Sequence, residues 1–233
     1  MNEEFSETFG SCSHRVHTIN EYPINPDGDF VLYWMTASRR YHYNSALEHS
    51  ISLSIKLNKP LLVVEAVSIR HTWSSDRILT FFAQGIIDNT RIFQSHNLTY
   101  IPWVETHKQT GNGLLRKLSR NSCAVVIDDF PTYLPRDVMR QASKFCKVRL
   151  DAVDSNGILP ISWADRAFPS AYSFRKYMQK NLLSALAAIP DFDPMENVSK
   201  DLLLPNTYVE NLFLNAGSPI TPYEWLWRVG QGG

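Results

Sequence analysis

Two arginines follow the first long apolar run of the chain, in a loop whose residue types suit anion binding. The run covers residues 30–35, and the loop 36–44 that follows reads T-A-S-R-R-Y-H-Y-N, with Arg39 and Arg40 at its centre. Guanidinium groups form paired hydrogen bonds with phosphate and carboxylate groups. Two interpretations stay open: an anion- or partner-binding loop, or a solvated loop with a surface ion pair, which the residue types alone favour.

Asp128 and Asp129 end a second apolar run, residues 124–127. Carboxylates at such a position can act as general bases or metal ligands. Successive side chains of a strand point to opposite faces, so these two cannot work as one pair there. The spacing favours structural roles for both, with one cap and one functional carboxylate as the alternative.

Cys12, His14 and His17 form the pattern C-x-H-x-x-H near the N-terminus. The pattern lacks a clear fourth ligand, so we expect no metal there. Cys123 and Cys146 stand at a predicted strand start and helix end, as buried inert thiols often do. Three cysteines are an odd and sparse set, which indicates reduced thiols in a cytoplasmic protein, or a nuclear one in a eukaryote.

Glycine-rich motifs that bind nucleotides are incomplete in this chain. Gly111 and Gly113 begin the dinucleotide pattern G-x-G-x-x-G, but Arg116 stands at the position of its third glycine. The P-loop pattern G-x-x-x-x-G-K-[ST] does not occur either. Without these motifs, NAD binding and P-loop chemistry are not expected, and spacing alone predicts no reaction.

Apolar runs alternate with helical patterns from residue 29 onward. Strands are predicted at residues 30–35, 61–67, 98–104, 124–127 and 148–153. Helices are predicted at residues 44–58, 77–96, 112–120, 134–145 and 171–188. Repeated strand–helix units with short connections predict an α/β fold, doubly wound, with a five-stranded parallel sheet and helices on both faces.

Composition divides the chain into three parts. Residues 1–28 are polar and close with prolines, which predicts a flexible N-terminal arm, and residues 29–188 hold the α/β domain. Residues 189–233 form a proline-rich linker or tail that also carries Trp225 and Trp227. Large apolar side chains make a poor free linker, so we expect this tail to lie along the domain or to pack on a partner.

The overall composition excludes several classes of protein. An apolar fraction of 44% and a charged fraction of 20% indicate a globular chain rather than a disordered one. No run of 18 apolar residues occurs, and the acidic first ten residues do not resemble a secretory signal. Basic and acidic residues number 23 each, so no global excess favours nucleic acid or membranes, although a local basic patch stays open.

The predicted sheet also indicates where a ligand would bind. In open α/β sheets, ligands bind beyond the carboxyl ends of the strands, near the point where the strand order reverses. The candidate cleft therefore comprises Trp34, Met35, Arg39, Arg40, Asn44, Asp129 and Phe130. Buried structural roles are equally open for Trp34 and Phe130.

Six short motifs occur in order along the predicted domain. They are Y-W-M, R-R and N-x-A-L within residues 33–47, N-K-P-L-L-V-V at 58–64, R…F-F-A-Q-G-I at 77–86, V-I-D-D-F and P-R within 126–136, D-A-V-D-S-N-G-I-L-P at 151–160, and S-F-R-K-Y at 173–177. Together they resemble the N-terminal α/β domain of the cryptochrome/photolyase family, class II deoxyribodipyrimidine photolyases above all. Two loops depart from the family: residues 155–157 read S-N-G where a His-Asn is usual, and residues 37–39 lack the acidic D-x-R.

The resemblance implies a light-driven DNA repair lyase for cyclobutane pyrimidine dimers, whose chemistry belongs to a helical FAD-binding domain. We expect that domain to be missing or to be a separate chain, because only 45 residues follow residue 188. The α/β part alone is then a non-catalytic antenna or docking domain, which meets damaged DNA only through the helical domain and meets no membrane.

The resemblance allows a deazaflavin-like antenna chromophore in the candidate cleft formed by Met35, Arg39, Arg40, Asn44, Asp129 and Phe130. FAD is expected only where the helical domain is supplied. The alternative that the residues leave open is a nucleotide- or small-molecule-binding protein on the same doubly wound fold.

Overall fold

The computed structural model describes residues 13–68, 74–105, 113–164, 166–196, 198 and 203–213. The strands are β1 (Val16–Thr18), β2 (Phe30–Met35), β3 (Leu61–Val67), β4 (Thr99–Val104), β5 (Ser122–Asp128) and β6 (Arg149–Val153). The helices are α1 (Ser45–Leu57), α2 (Asp76–Ser95), α3 (Leu114–Asn121), α4 (Tyr133–Phe145), α5 (Ala171–Leu186) and α6 (Asn206–Phe213). Each of the ten predicted elements is present, with its ends within two residues of the prediction.

The sheet has six strands in the order β1-β6-β5-β2-β3-β4. Strands β2 to β6 are parallel to their neighbours, as predicted, whereas β1 pairs antiparallel with β6. Strands β3 and β4 lie on one side of β2, and β5 and β6 lie on the other. The strand order therefore reverses between β2 and β5, and the carboxyl ends of these two strands form the switch point of the sheet. The α/β doubly wound class is confirmed.

The prediction of five strands is wrong by one, because part of the expected arm joins the sheet edge. Strand β1 lies within residues 13–28, and Arg15 just before it is buried. The Arg15 guanidinium donates hydrogen bonds to backbone carbonyls of Asn156, at 3.2 Å, and Ile158, at 2.6 Å. These bonds hold the segment against the end of β6, and a three-residue strand is too short to show a period in sequence.

Both faces of the sheet are covered, which explains the continuous apolar runs of the central strands. All six residues of β2 are buried, with alternate side chains entering two separate cores. Helices α3, α4 and α6 cover one face, while α1 and the end of α2 cover the other. A strand buried on both sides has no polar face to reveal a period of two.

The described part of the tail packs on the domain. Helix α6 buries Val209, Leu212 and Phe213 in the core beside α3, and Leu204, two residues before the helix, is buried there too. The Phe213 ring stacks on Trp103, with ring centroids 5.6 Å apart. Residues 203–213 therefore lie along the domain, one of the two expected outcomes, while Trp225 and Trp227 lie outside the described residues. In the ranges given above, no helix has both the length and the apolarity to cross a bilayer.

Candidate functional site

The Asp128 carboxylate lies at the switch point of the sheet and binds the loop that follows β2. Its carboxylate accepts hydrogen bonds from the backbone N–H groups of Thr36, at 2.8 Å, Ala37, at 2.7 Å, and Ser38, at 3.1 Å. Tyr33 donates its hydroxyl to the other carboxylate oxygen, at 2.8 Å, and burial together with the charge of Asp128 holds the pKa of Tyr33 well above its ordinary value. Successive N–H groups of this kind form an anion site, so here the protein's own carboxylate is the anion.

Asn44 fixes the loop that follows β2 and begins α1. Its side-chain oxygen accepts from the N–H of Leu47, at 3.0 Å, which caps the helix. Its amide donates to the carbonyls of Ser38, at 3.1 Å, and Arg40, at 2.7 Å. The hydroxyl of Ser155 accepts from the N–H of Ala46, at 3.1 Å. The start of α1 thus has protein groups where a phosphate would bind in a nucleotide site.

Arg40 connects two loops rather than facing a cavity. Its guanidinium donates to the carbonyls of His42, at 3.1 Å, and Ser155, at 2.9 Å. Ser155 lies just after β6, so Arg40 joins the loop after β2 to the loop after β6. The residue is exposed, and its bonds hold these loops in place.

Asp129 pairs with His17 on the edge strand β1. The His17 Nε2 atom lies 2.7 Å from a carboxylate oxygen of Asp129. This hydrogen bond raises the pKa of His17 above its ordinary value and lowers the pKa of Asp129. Asp128 and Asp129 indeed face different surroundings, as the strand geometry predicted. Cys12 of the C-x-H-x-x-H pattern lies outside the described residues, and within them no group of three potential metal ligands occurs.

Cys123 and Cys146 are both free and buried, as predicted. Burial raises the pKa of each thiol above its ordinary value. A thiol in this state is a poor nucleophile, because the thiolate is the reactive form. Neither cysteine is a candidate for covalent chemistry.

A cavity of about 510 Å³ lies at the carboxyl ends of β2, β3 and β5. Ligand sites commonly have roughly 300–1,000 Å³ of such space. Its walls come from the end of β3, from the loops after these strands and from the first two turns of α2 and α4. The lining residues are Thr36, Ala37, Arg39, Ala66, Val67, Ser68, Ser74, Ile78, Phe82, Phe130, Thr132, Pro135 and Val138.

Arg39 is the charged side chain of this lining, and its position is fixed by β3. Its guanidinium donates to a carboxylate oxygen of Glu65, at 3.0 Å, and to the carbonyl of Ala66, at 2.7 Å. The guanidinium carbon lies 4.8 Å from the centre of the Phe82 ring. Glu65 is buried and also accepts hydrogen bonds from Asn89, at 2.9 Å, and from Tyr100. These bonds fix the position of Glu65 and hence that of the Arg39 guanidinium. The cavity therefore offers a fixed guanidinium on an aromatic face, with its charge balanced by Glu65.

Thr36 lines the cavity, but its hydroxyl oxygen does not face it. That oxygen is buried and has no hydrogen-bond partner in the part of the chain that the structure describes. Buried hydroxyl groups are normally bonded, because an unmade bond costs free energy. The cavity thus combines apolar walls with one fixed guanidinium, which together suit a planar ligand with a polar edge.

The structure places two of the predicted site residues, Arg39 and Phe130, in the lining of the cavity. Met35 and Trp34 are buried in the core, and Asn44, Arg40 and Asp129 hold loops and the edge strand as described above. Sequence reasoning missed the end of β3 and the ring of Phe82. The rule that ligands bind at the carboxyl ends of strands could have found residues 66–68, because β3 was correctly predicted and ends there.

These observations define a class: a doubly wound α/β domain with a ligand-sized cleft at its switch point. The chain is 26% identical over 171 residues, or 73% of its length, to the deoxyribodipyrimidine photo-lyase of Methanothermobacter thermautotrophicus. This similarity confirms the resemblance to the photolyase family. The chain spans 38% of the length of that relative. No protein-family model matches the chain.

Proposed function

We propose that this chain is the α/β domain of a class II photolyase-like protein, part of a light-driven repair lyase for cyclobutane pyrimidine dimers. In this proposal a helical FAD-binding domain, on the same polypeptide or a separate one, performs the catalysis. The observation that carries the proposal is the similarity to a photo-lyase of which this chain spans 38%. Electron donation to a dimer is flavin chemistry, and the described residues include none of the helical bundle that would hold the flavin.

The cleft beside Arg39 is proposed to hold an antenna chromophore of the deazaflavin type. Such a group, when bound, absorbs light and passes the excitation energy to the flavin. Phe82 and Phe130 would flank its ring, and the Arg39 guanidinium would attract an anionic or carbonyl edge. The residues fit the group because they supply an aromatic wall and a guanidinium fixed in place.

The exposed side of α5 is proposed to contact the helical domain. Tyr172 is 74% exposed and Leu183 is 80% exposed, and Phe174, Met178 and Leu186 are exposed on the same helix. Only Ala185 of α5 is buried among its described side chains. Exposed large apolar side chains of this kind occur at protein interfaces, and on α5 they stand among the exposed Arg175, Lys176 and Lys180.

The alternative, a nucleotide-binding protein on this fold, has less support. The backbone N–H groups of residues 36–38 donate to Asp128, and the first turn of α1 is capped by Asn44 and Ser155. A triphosphate would have to displace these bonds. A planar ligand in the neighbouring cavity would leave them intact.

Ligand titration of the purified chain separates the two functions. We expect a deazaflavin to bind and to raise the melting temperature, whereas ATP has no effect. Arg39→Gln should weaken the deazaflavin complex, while Arg175→Gln, which removes one exposed cation from α5 outside the lining, should leave its affinity unchanged. Tight ATP binding without a deazaflavin effect would overturn the antenna proposal.

A further inference from the structure

The charges of this neutral chain are unevenly distributed over its surface. Helices α3 and α4 carry six basic residues and one acidic residue, Asp137, although basic and acidic residues balance at 23 each in the whole chain. We name this surface the basic face. It consists of Arg116, Lys117, Arg120, Arg136, Arg140 and Lys144, all of which are exposed.

The basic face is continuous across the two helices. In α4, Arg136, Arg140 and Lys144 recur every four residues, so they form one row along the helix. Each step of four residues rises about 6 Å, so the row is roughly 12 Å long. The Arg116 guanidinium of α3 lies 5.1 Å from the centre of the Phe145 ring of α4, which brings the cations of α3 beside this row.

Few acidic groups neutralise the basic face. Asp137 pairs with Arg140 on the same helix, and this pair is exposed. Within the described residues, Arg116, Arg120, Arg136 and Lys144 form no ion pair. Asp29 lies at the border, where its N–H bonds to the last residue of α3 and its carboxylate accepts from Tyr208. Asp129, just after β5, lies near enough to Arg136 for that cation to help lower the pKa of its carboxyl. Six cations thus face three acidic groups at or beside the face, which leaves it positive in balance.

A second cavity extends the basic face at the amino edge of the sheet. It has a volume of about 430 Å³ and lies between the segment 23–26 and the ends of α3 and α4. Arg120 and Lys147 both line it, together with Ser119. The Lys147 ammonium donates to the hydroxyl of Tyr22, at 2.7 Å. Cations thus continue from the helix surface into a concave site at its end.

The basic face lacks the features of a protein interface. Among the described side chains of α3 and α4, no large apolar residue is exposed. Protein interfaces are typically anchored by buried aromatic or aliphatic residues, such as those exposed on α5. Contacts to a nucleic-acid backbone depend instead on lysine and arginine near phosphates. The charge without apolar anchors favours nucleic acid over an acidic protein.

We propose that the basic face binds the phosphate backbone of duplex DNA without regard to sequence. This inference rests on the proposed function, because a repair domain works beside DNA. It also revises the expectation that the α/β domain meets DNA only through the helical domain. The face would hold the duplex that flanks the lesion.

Binding of the full 233-residue chain to a fluorescent 20-base-pair duplex tests the proposal. With about five phosphate contacts, log affinity should fall against log salt with a slope of roughly −4.5, about 500-fold between 50 and 200 mM salt. The triple variant R136Q/R140Q/K144Q should reduce the magnitude of this slope by about 2.7. The control R175Q/K176Q/K180Q removes the same charge from α5 and should leave the slope unchanged. Circular dichroism confirms that both variants fold.

Three outcomes would overturn the proposal. The first is that the chain does not bind DNA at 50 mM salt, and the second is that both triple variants lose binding equally. The third is that the chain binds polyglutamate instead of DNA, and that this binding is lost in R136Q/R140Q/K144Q. None of these results touches the proposed function, since repair by the chain with a helical domain is measured separately. Conversely, DNA binding by an intact basic face in a chain that supports no repair would leave the present proposal standing and remove the other.

Discussion

At the residue scale, Asp128 organises the end of the sheet. One carboxylate oxygen receives three backbone N–H groups, from Thr36, Ala37 and Ser38, and the other receives the Tyr33 hydroxyl. These bonds shape the loop that carries Arg39 into the cavity. The residue is therefore a positioning group, although its sequence context resembles that of a functional carboxylate.

Asp128→Ala should lower the free energy of unfolding by about 3 kcal/mol, because it leaves buried backbone donors without a partner. Urea denaturation of the variant and the wild type measures the difference. Asp137→Ala, which removes an exposed carboxylate from α4, is the matched control and should change stability by less than about 0.5 kcal/mol. Equal effects of the two substitutions would contradict the role given to Asp128.

Thr36→Val tests whether the unpaired buried hydroxyl costs stability. The valine keeps the approximate shape of the side chain and removes a hydroxyl that has no partner in the described residues, so the free energy of unfolding should rise by about 1 kcal/mol. Deazaflavin affinity should stay unchanged, because the oxygen does not face the cavity. A less stable variant, or one with weaker deazaflavin binding, would contradict this account. Isothermal titration and thermal unfolding provide both readings.

The pair of His17 and Asp129 should make the edge strand pH-sensitive. The pKa of His17 is raised in the folded protein, so its contribution to stability is full below the ordinary value of 6.5 and is lost as the pH rises through the raised value. The His17 side chain is 38% exposed, which limits the effect to less than about 1 kcal/mol.

The comparison of wild type with His17→Gln isolates this contribution from that of the other histidines. The wild type should lose more stability between pH 6 and pH 8 than the variant does, as measured by urea denaturation at each pH. At the acid end, the lowered pKa of Asp129 keeps its contribution until the pH falls below the ordinary value of 3.8. Identical pH profiles of the two proteins would refute the assignment.

At the element scale, the entry of the chain into β2 depends on Gly28. A Cβ at this position would lie 2.4 Å from the backbone nitrogen of Cys123, at the start of β5. Gly28→Ala should therefore destabilise the protein by about 2–3 kcal/mol, since backbone atoms must move. Gly85→Ala in the middle of α2 meets nothing within 4 Å and should stabilise by about 0.5–1 kcal/mol. Thermal unfolding measures both effects. Melting temperatures that shift in the same direction in the two variants would contradict this interpretation.

The main elements could be predicted because buried parallel strands are continuous apolar runs. The segment Phe30–Met35 and the segment Leu61–Val67 each stand out from the polar loops around them. The strand Val16–Thr18 could not be found, since it owes its place to Arg15 and to pairing with residues more than 130 positions away. Helix α6 was hidden by the prolines that surround it.

The candidate site could be predicted only as an edge of the sheet. The rule on strand ends correctly directed attention to Arg39 and Phe130. Local sequence does not distinguish Arg39 from Arg40, however, because the choice depends on Glu65 in β3, 26 residues away in the chain. Long-range partners of this kind decide which of two adjacent like residues faces a cavity.

At the scale of the whole molecule, the domain presents three distinct surfaces. The cleft of Arg39 and Phe82 lies at the carboxyl ends of the strands, the basic face lies on α3 and α4, and α5 exposes several large apolar side chains. The three proposals assign these surfaces to an antenna chromophore, to DNA and to a helical domain. The neutral total charge of the chain conceals this division.

Light-dependent repair tests the central claim most directly. The chain is combined with the helical FAD-binding domain of the same organism, on one polypeptide or as two, and the loss of cyclobutane dimers from irradiated DNA is followed under blue light and in the dark. We predict repair in the light only, faster with this chain than with the helical domain alone, and the chain by itself inactive. A helical domain that neither binds the chain nor gains activity from it would contradict the account.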